Sequence, residues 1–197
     1  MDFDGELNDL RTVHGVLMQQ DICHTVQVKR VVIKRPQRSS LFGLLPGAPN
    51  QPPLLDHEGM LTVQLWKESG SRTGECRIVI YATDMRSEIT SGIWIIRFRD
   101  SFGFEPRVLE GADDKVLISY LNKNATAVYL STFHPGENQS QPALPLDAED
   151  FETQCRNNRE EFGTIMLYFQ RPTDRSAFLS TYRTLKQQWE IDKNIRR

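Results

Sequence analysis

The stretch Gly163–Lys186, GTIMLYFQRPTDRSAFLSTYRTLK, joins a strand signal to a helix signal across one short turn. Its first eight residues are dense in β-branched, aromatic and other apolar side chains, which is typical of a strand. Thr173 is then placed to cap a helix, and Asp174 carries the charge that a helix N-terminus favours. The residues that follow predict a core-facing helical stripe. Its members, at i, i+4, i+7 and i+11, are Phe178, Tyr182, Leu185 and Trp189.

Six further segments upstream carry strand signals, and most alternate between apolar and polar residues. They are residues 24–35, 60–67, 76–81, 93–98, 116–121 and 127–133. Because no helix is placed to connect parallel strands, we expect a mainly β fold with antiparallel pairing. The order predicts a seven-stranded bent barrel or orthogonal sandwich, capped by one C-terminal helix. A closed, lipocalin-like barrel is the alternative, and 116–121 with 127–133 read as a hairpin.

The remaining segments define the domain organisation. Residues 1–21 have apolar residues at helical spacing and predict an N-terminal helical extension. Residues 22–197 then form a single domain, since 197 residues suit one core better than two. Two proline-containing stretches predict long loops, 36–59 and 134–162, the second containing a short helix within 148–161. In the first strand the apolar phase changes near Lys29 and Arg30, which predicts a β-bulge.

Composition excludes several classes of protein. Basic and acidic residues are nearly balanced, 24 against 26, so the chain is not a globally basic nucleic-acid binder. Trp94 and Phe98 alternate with Arg97 along their strand, which also makes nucleic acid an unlikely partner. No apolar run is long enough for a transmembrane helix.

The sequence predicts a cytoplasmic protein, with the nucleus or a membrane periphery as further locations. The N-terminus is acidic and lacks a secretory pattern, and the three cysteines have no paired spacing.

One local charge anomaly marks a candidate site. Between Ile22 and Leu55 there is no acidic residue, although the chain as a whole is slightly acidic. The basic residues of this segment are Lys29, Arg30, Lys34, Arg35 and Arg38. An apolar loop tip follows, with Leu41, Phe42, Leu44 and Leu45. Cations beside an apolar tip predict contact with a protein partner or an anionic membrane.

Two simpler readings of this segment remain open. Basic side chains often protect an exposed strand edge, and an apolar tip often folds back onto the core. No residue pattern predicts a catalytic site, a metal site or a cofactor, because the chain lacks paired Cys/His spacing, a phosphate loop and a nucleophile elbow. The sequence therefore predicts a protein that is not an enzyme.

Seven strands followed by one amphipathic helix, with the Gly163–Lys186 pattern at the end, resemble the pleckstrin-homology-like superfold over about residues 24–193. Phe178 stands where that family commonly has a tryptophan. The resemblance implies a non-enzymatic interaction or adaptor domain, with a phosphoinositide at the loop between the first two strands. A peptide-binding module of the phosphotyrosine-binding type is one alternative. A small-ligand-binding β-barrel is another.

Overall fold

The computed structural model describes ten stretches of the chain. They are residues 20–35, 52–68, 76–83, 91–98, 106–108, 113–119, 126–131, 153, 157 and 159–195. Nine strands and one long helix lie within them. The strands are β1 (Gln20–Lys34), β2 (Leu55–Glu68), β3 (Cys76–Thr83), β4 (Ser91–Phe98), β5 (Pro106–Val108), β6 (Lys115–Ser119), β7 (Thr126–Ser131), β8 (Arg159–Glu161) and β9 (Thr164–Phe169). The helix, α1, is Pro172–Ile195.

All nine strands belong to one antiparallel sheet, in the order β5-β6-β9-β1-β2-β3-β4-β7-β8. The six strands of six or more residues are contiguous in it, from β9 to β7. The mainly β, antiparallel class is confirmed, but the predicted count of seven strands is wrong. The end strands β5 and β8 do not pair with each other in the part of the chain described, so the sheet is not closed. The lipocalin-like closed barrel is therefore also wrong.

The sheet is nevertheless curled, as the link between β6 and β7 requires. Six strand spacings separate β6 from β7 in the order, which is about 29 Å across a flat sheet. The seven residue steps from Ser119 to Thr126 reach at most about 25 Å. The two strands must therefore approach each other across the concave side. Consistent with this, Ile96 of β4 and Ile118 of β6 belong to the same buried core.

The strands β6 and β7 do not form the hairpin that their adjacency in the sequence predicts. β6 pairs with β5 and β9, whereas β7 pairs with β4 and β8. Both strands are short, and each has apolar residues at both of its alternating positions, so the local sequence does not specify which strands pair with them. Register follows the burial of each face over the whole sheet instead.

A β-bulge interrupts β1 at the predicted place. Val28 pairs with Phe169 of β9 and Arg30 with Tyr168, so Lys29 is an extra residue on β1. The bulge reverses the phase of the strand, because extra residues shift every later side chain to the opposite face. Valines of both phases therefore reach one core, which explains the mixed pattern of the sequence. The residues of β1 that belong to this core are Val26, Val28, Val31 and Ile33.

The helix α1 packs on this core through its predicted stripe. Phe178 and Tyr182 are fully buried and Leu185 is nearly so, while Trp189 packs against the cluster from a partly buried position. The Phe178 ring centroid lies 5.5 Å from that of Phe169 on β9. Each large side chain removed from water contributes about 1.5–3 kcal/mol. Burial of this stripe is what holds the helix against the curled sheet.

The opposite face of the sheet carries a second buried cluster. Its members are Trp66, Val79, Tyr81, Ile93 and Ile95, with Ile22 packed against them. Polar side chains lie beside it and bond to one another across β1 and β2. Gln27 donates to Thr62 at 3.1 Å, and the Trp66 indole donates to Gln64 at 2.8 Å. The predicted alternation of β3 is confirmed, since Ile78 and Ile80 lie in the first core and Val79 and Tyr81 in the second.

Several predicted boundaries need correction. Gln20 and Asp21 belong to β1, not to the helical extension, whose other residues lie outside those described. The first long loop is shorter than 36–59 because β2 begins at Leu55. The second, 134–162, contains strand β8 at Arg159–Glu161, where a helix end was predicted. Strands of three residues carry too little alternation to be predicted from sequence.

Candidate functional site

The predicted site is only partly within the described chain. Lys29, Arg30 and Lys34 belong to β1, and Arg35 follows its last residue. The remaining predicted residues lie outside the described residues. They are Arg38, Leu41, Phe42, Leu44 and Leu45. The basic side chains can therefore be placed, whereas the apolar tip stays a prediction.

The basic residues do not protect a sheet edge. β1 lies between β9 and β2, and both neighbours pair with it at Arg30; β2 pairs as far as Ile33 and β9 as far as Lys34. Because Val31 and Ile33 point into the core, their alternating neighbours lie on the other, convex surface. The edge-protection reading of these cations is therefore wrong.

The convex surface of four neighbouring strands can be read directly from the pairing register. We call it the outer face and define it by β2, β1, β9 and β6, in that order across the sheet. One row across these strands is Glu58, Arg30, Tyr168 and Lys115. The next row is Asp56, Val32, Met166 and Leu117. A third row joins Lys34 to Thr164.

An acid from β2 binds Arg30. The Arg30 Nε lies 2.9 Å from Asp56 Oδ1, and Arg30 Nη2 lies 3.0 Å from Asp56 Oδ2, so the pair is bidentate. This hydrogen-bonded partner raises the pKa of Arg30. Both side chains remain more than one-third exposed, and exposed pairs are weak contributors to stability. The pair mainly fixes where the guanidinium lies.

A second acid, from the turn before β6, binds Lys29 at the bulge. The Lys29 ammonium lies 2.5 Å from Asp114 Oδ2. The hydrogen bond from Lys29 lowers the pKa of Asp114. Asp113 and Asp114 form the turn that precedes β6. The acid-free segment is thus neutralised in part by carboxylates that are distant in sequence.

Two cations flank one aromatic ring on the outer face. The Arg30 guanidinium carbon lies 5.6 Å from the centroid of the Tyr168 ring, and the Lys115 ammonium lies 5.2 Å from it. Both distances are within the range of cation–π attraction. Tyr168 is only half-buried, so its ring remains available at the surface. Tyr168 and Lys115 were not among the predicted site residues, although the alternation of Gly163–Gln170 already places Tyr168 on the face opposite the core.

The middle row of the outer face is apolar. Met166 and Leu117 are partly exposed, and Val32 between the basic residues of β1 is 7% exposed. Lys34 at the third row is exposed and, among the residues described, forms no ion pair. The outer face therefore presents apolar and aromatic side chains between cations, with the two acids of β2 along one side.

His24 is the one ionisable group turned toward the first core from β1. A second register shift of β1, between Ile22 and His24, places these two residues on opposite faces. The His24 ring lies 6.3 Å from the Phe178 ring, and its Nε2 is buried with no hydrogen-bond partner among the described residues. Burial lowers the pKa of His24, and Asp174 opposes part of this effect. The His24 ring therefore packs beside Phe178, where α1 meets the sheet.

Comparison of the chain with protein-family models and with curated proteins gives no match. In the described ranges, no helix has the length and apolarity to cross a bilayer. The same ranges hold no group of three or more metal-ligating side chains. The class of the protein must therefore be argued from the fold and from the outer face alone.

Proposed function

We propose that the chain is a non-enzymatic protein-interaction domain of pleckstrin-homology-like architecture, working in the cytoplasm or nucleus. A curled antiparallel sheet with a C-terminal helix packed on its core through Phe178 and Tyr182 supports the architecture. The two extra short strands, β5 and β8, depart from the seven-strand plan. A helix that occupies the core with bulky side chains disfavours the alternative of a small-ligand barrel.

The observation that carries the proposal is the composition of the outer face. Tyrosine, methionine and arginine are the residue types enriched in protein interfaces, and Tyr168, Met166 and Arg30 lie together there. The bidentate bond to Asp56 holds Arg30 in one position, which reduces the entropy cost of binding. A protein partner is favoured over an anionic membrane because charges of both signs occupy fixed positions on this surface, which suits a partner with matched charges better than a uniformly anionic lipid surface.

The test is quantitative affinity purification of the intact chain from cells that express it natively. Met166→Glu places a charge in the apolar row, and Ser180→Glu places the same charge on the exposed side of α1. We expect the recovery of a specific associated protein to fall at least about tenfold for Met166→Glu, equivalent to about 1.4 kcal/mol, and to be unchanged for Ser180→Glu. Equal recovery with both variants contradicts the proposal.

Two controls make the result interpretable. Thermal unfolding of both variants separates loss of binding from loss of folding. Thr164→Arg tests the same face at a second position, where the native side chain is already polar. Sedimentation with vesicles of phosphatidylcholine, phosphatidylserine and a phosphoinositide tests the membrane alternative. Vesicle binding that falls with Lys34→Glu/Arg35→Glu, without any protein captured, favours the lipid function instead.

A further inference from the structure

The charges of the outer face are unevenly paired, and the residual cations lie at its two ends. Arg30 is bound by Asp56 and Lys29 by Asp114. Lys115 forms no ion pair within the described residues. Its ammonium lies over the ring of Tyr168, and its charge helps to lower the pKa of the neighbouring Asp114. Lys34 likewise forms no ion pair among these residues. Within the described residues, two ammonium groups are therefore available to an external anion.

The spacing of these cations matches an extended peptide. Lys115 of β6 lies in the row of Tyr168, and Lys34 of β1 lies in the row of Thr164, four residues away along β9. The two lysines are also two strand spacings, about 10 Å, apart, so they flank a segment that runs along β9 on either side. Four residues of strand span about 13 Å. In an extended segment, side chains at i, i+2 and i+4 point to the same side, so acids at i and i+4 would reach both rows. The residue at i+2 would then lie over Met166.

The three rows of the outer face are wide and long enough for an extended segment. Three strand spacings and four residues span about 14 by 13 Å, and five residues of extended chain cover about the same length.

We propose that the outer face binds a short, extended acidic segment of a partner protein. An acidic side chain lies over Lys115, a second lies over Lys34, and an apolar side chain lies between them on Met166 and Leu117. The Tyr168 ring contacts the segment beside the first acid. This inference rests on the proposed function, since it specifies the partner chemistry of the same surface.

The experiment uses the intact chain and three synthetic heptapeptides, followed by fluorescence anisotropy and by amide NMR shifts. The test peptide is Ser-Glu-Thr-Leu-Thr-Glu-Ser. A charge control replaces both Glu by Lys, and a spacing control, Ser-Thr-Glu-Leu-Glu-Thr-Ser, moves the acids off the face of the leucine. We expect the test peptide to bind at low salt, to shift β9 and β6 amides, and to weaken as salt rises. Both control peptides should bind at least about fivefold more weakly.

Matched variants of the protein test the residues. Lys34→Gln/Lys115→Gln should raise the Kd of the test peptide about tenfold, equivalent to about 1.4 kcal/mol of binding free energy. Arg183→Gln/Lys186→Gln removes the same charge from α1 and should leave binding unchanged. Equal weakening by both pairs would show a non-specific charge effect and overturn the proposal.

The remaining outcomes separate this inference from the proposed function. If Met166→Glu abolishes capture of a protein but the acidic peptide does not bind, the outer face is an interaction surface for a different partner chemistry. If anionic vesicles bind through Lys34 and Lys115 and the peptide does not, the cations serve a membrane. Either result overturns the acidic-segment proposal, and only the second also overturns the proposed function.

Discussion

Replacing Phe178 by alanine should strongly destabilise the domain, because this ring joins α1 to the sheet. Phe178 is fully buried, and its centroid lies within 5.5–6.3 Å of the rings of Phe169, Tyr182 and His24. Truncating a buried phenylalanine to alanine costs about 3–5 kcal/mol in transfer and cavity terms. For a domain of this size, that corresponds to a fall of about 6–20 °C in the melting temperature.

Urea unfolding followed by tryptophan fluorescence and by far-UV circular dichroism measures this cost. Ile191→Ala is the matched control, since Ile191 lies on the same helix and is 58% exposed. Its effect should stay within about 0.5 kcal/mol. If Phe178→Ala does not fold, Phe178→Leu supplies the measurement, with a smaller cost that still exceeds that of Ile191→Ala. Equal effects of Phe178 and Ile191 variants would refute the packing of α1 on the core.

Three further predictions concern single residues of β1 and β2. Stability should fall as the pH drops through about 6.5, because the lowered pKa of His24 means that the unfolded chain takes up more protons there; NMR titration should place the His24 midpoint below 6.5. Gly59→Ala should cost about 1–3 kcal/mol in urea unfolding, because the Gly59 φ of 149° is unfavourable for other residues, whereas the space for a Cβ is adequate. Trp66→Phe should lower the free energy of unfolding by about 1–3 kcal/mol, in addition to the effect of the smaller ring, because buried Gln64 loses its indole donor. Adding Gln64→Leu to this variant should restore part of the lost stability in urea unfolding.

The features that the sequence predicted correctly are those encoded within a few neighbouring residues. The stripe Phe178, Tyr182 and Leu185 repeats at the helical period, so its burial follows from local spacing. The bulge at Lys29 also leaves a local trace, because the valines before and after it change phase. In both cases one strand or helix is enough to define the buried face, whatever its neighbours are.

Features that depend on distant pairing could not be predicted. Asp56 and Asp114 lie 26 and 85 residues from the cations that they bind, so the acid-free segment looked more basic than it is. The wrong hairpin of β6 with β7 has the same origin, since only the whole sheet decides strand order. To predict the outer face, one must know which residues of β9 point away from the core and which strands lie beside β9. The sequence indicates only the first of these.

Site-specific photo-crosslinking in cells is the sharpest test of partner binding by the outer face. A benzophenone amino acid at Thr164, in the central column of the face, is compared with the same group at Thr184 on the exposed side of α1. In cells that express the chain natively, we expect a discrete protein adduct from position 164 that is lost with Lys34→Gln/Lys115→Gln, and none from position 184. Adducts from position 184 alone, or lipid adducts alone from position 164, would contradict it.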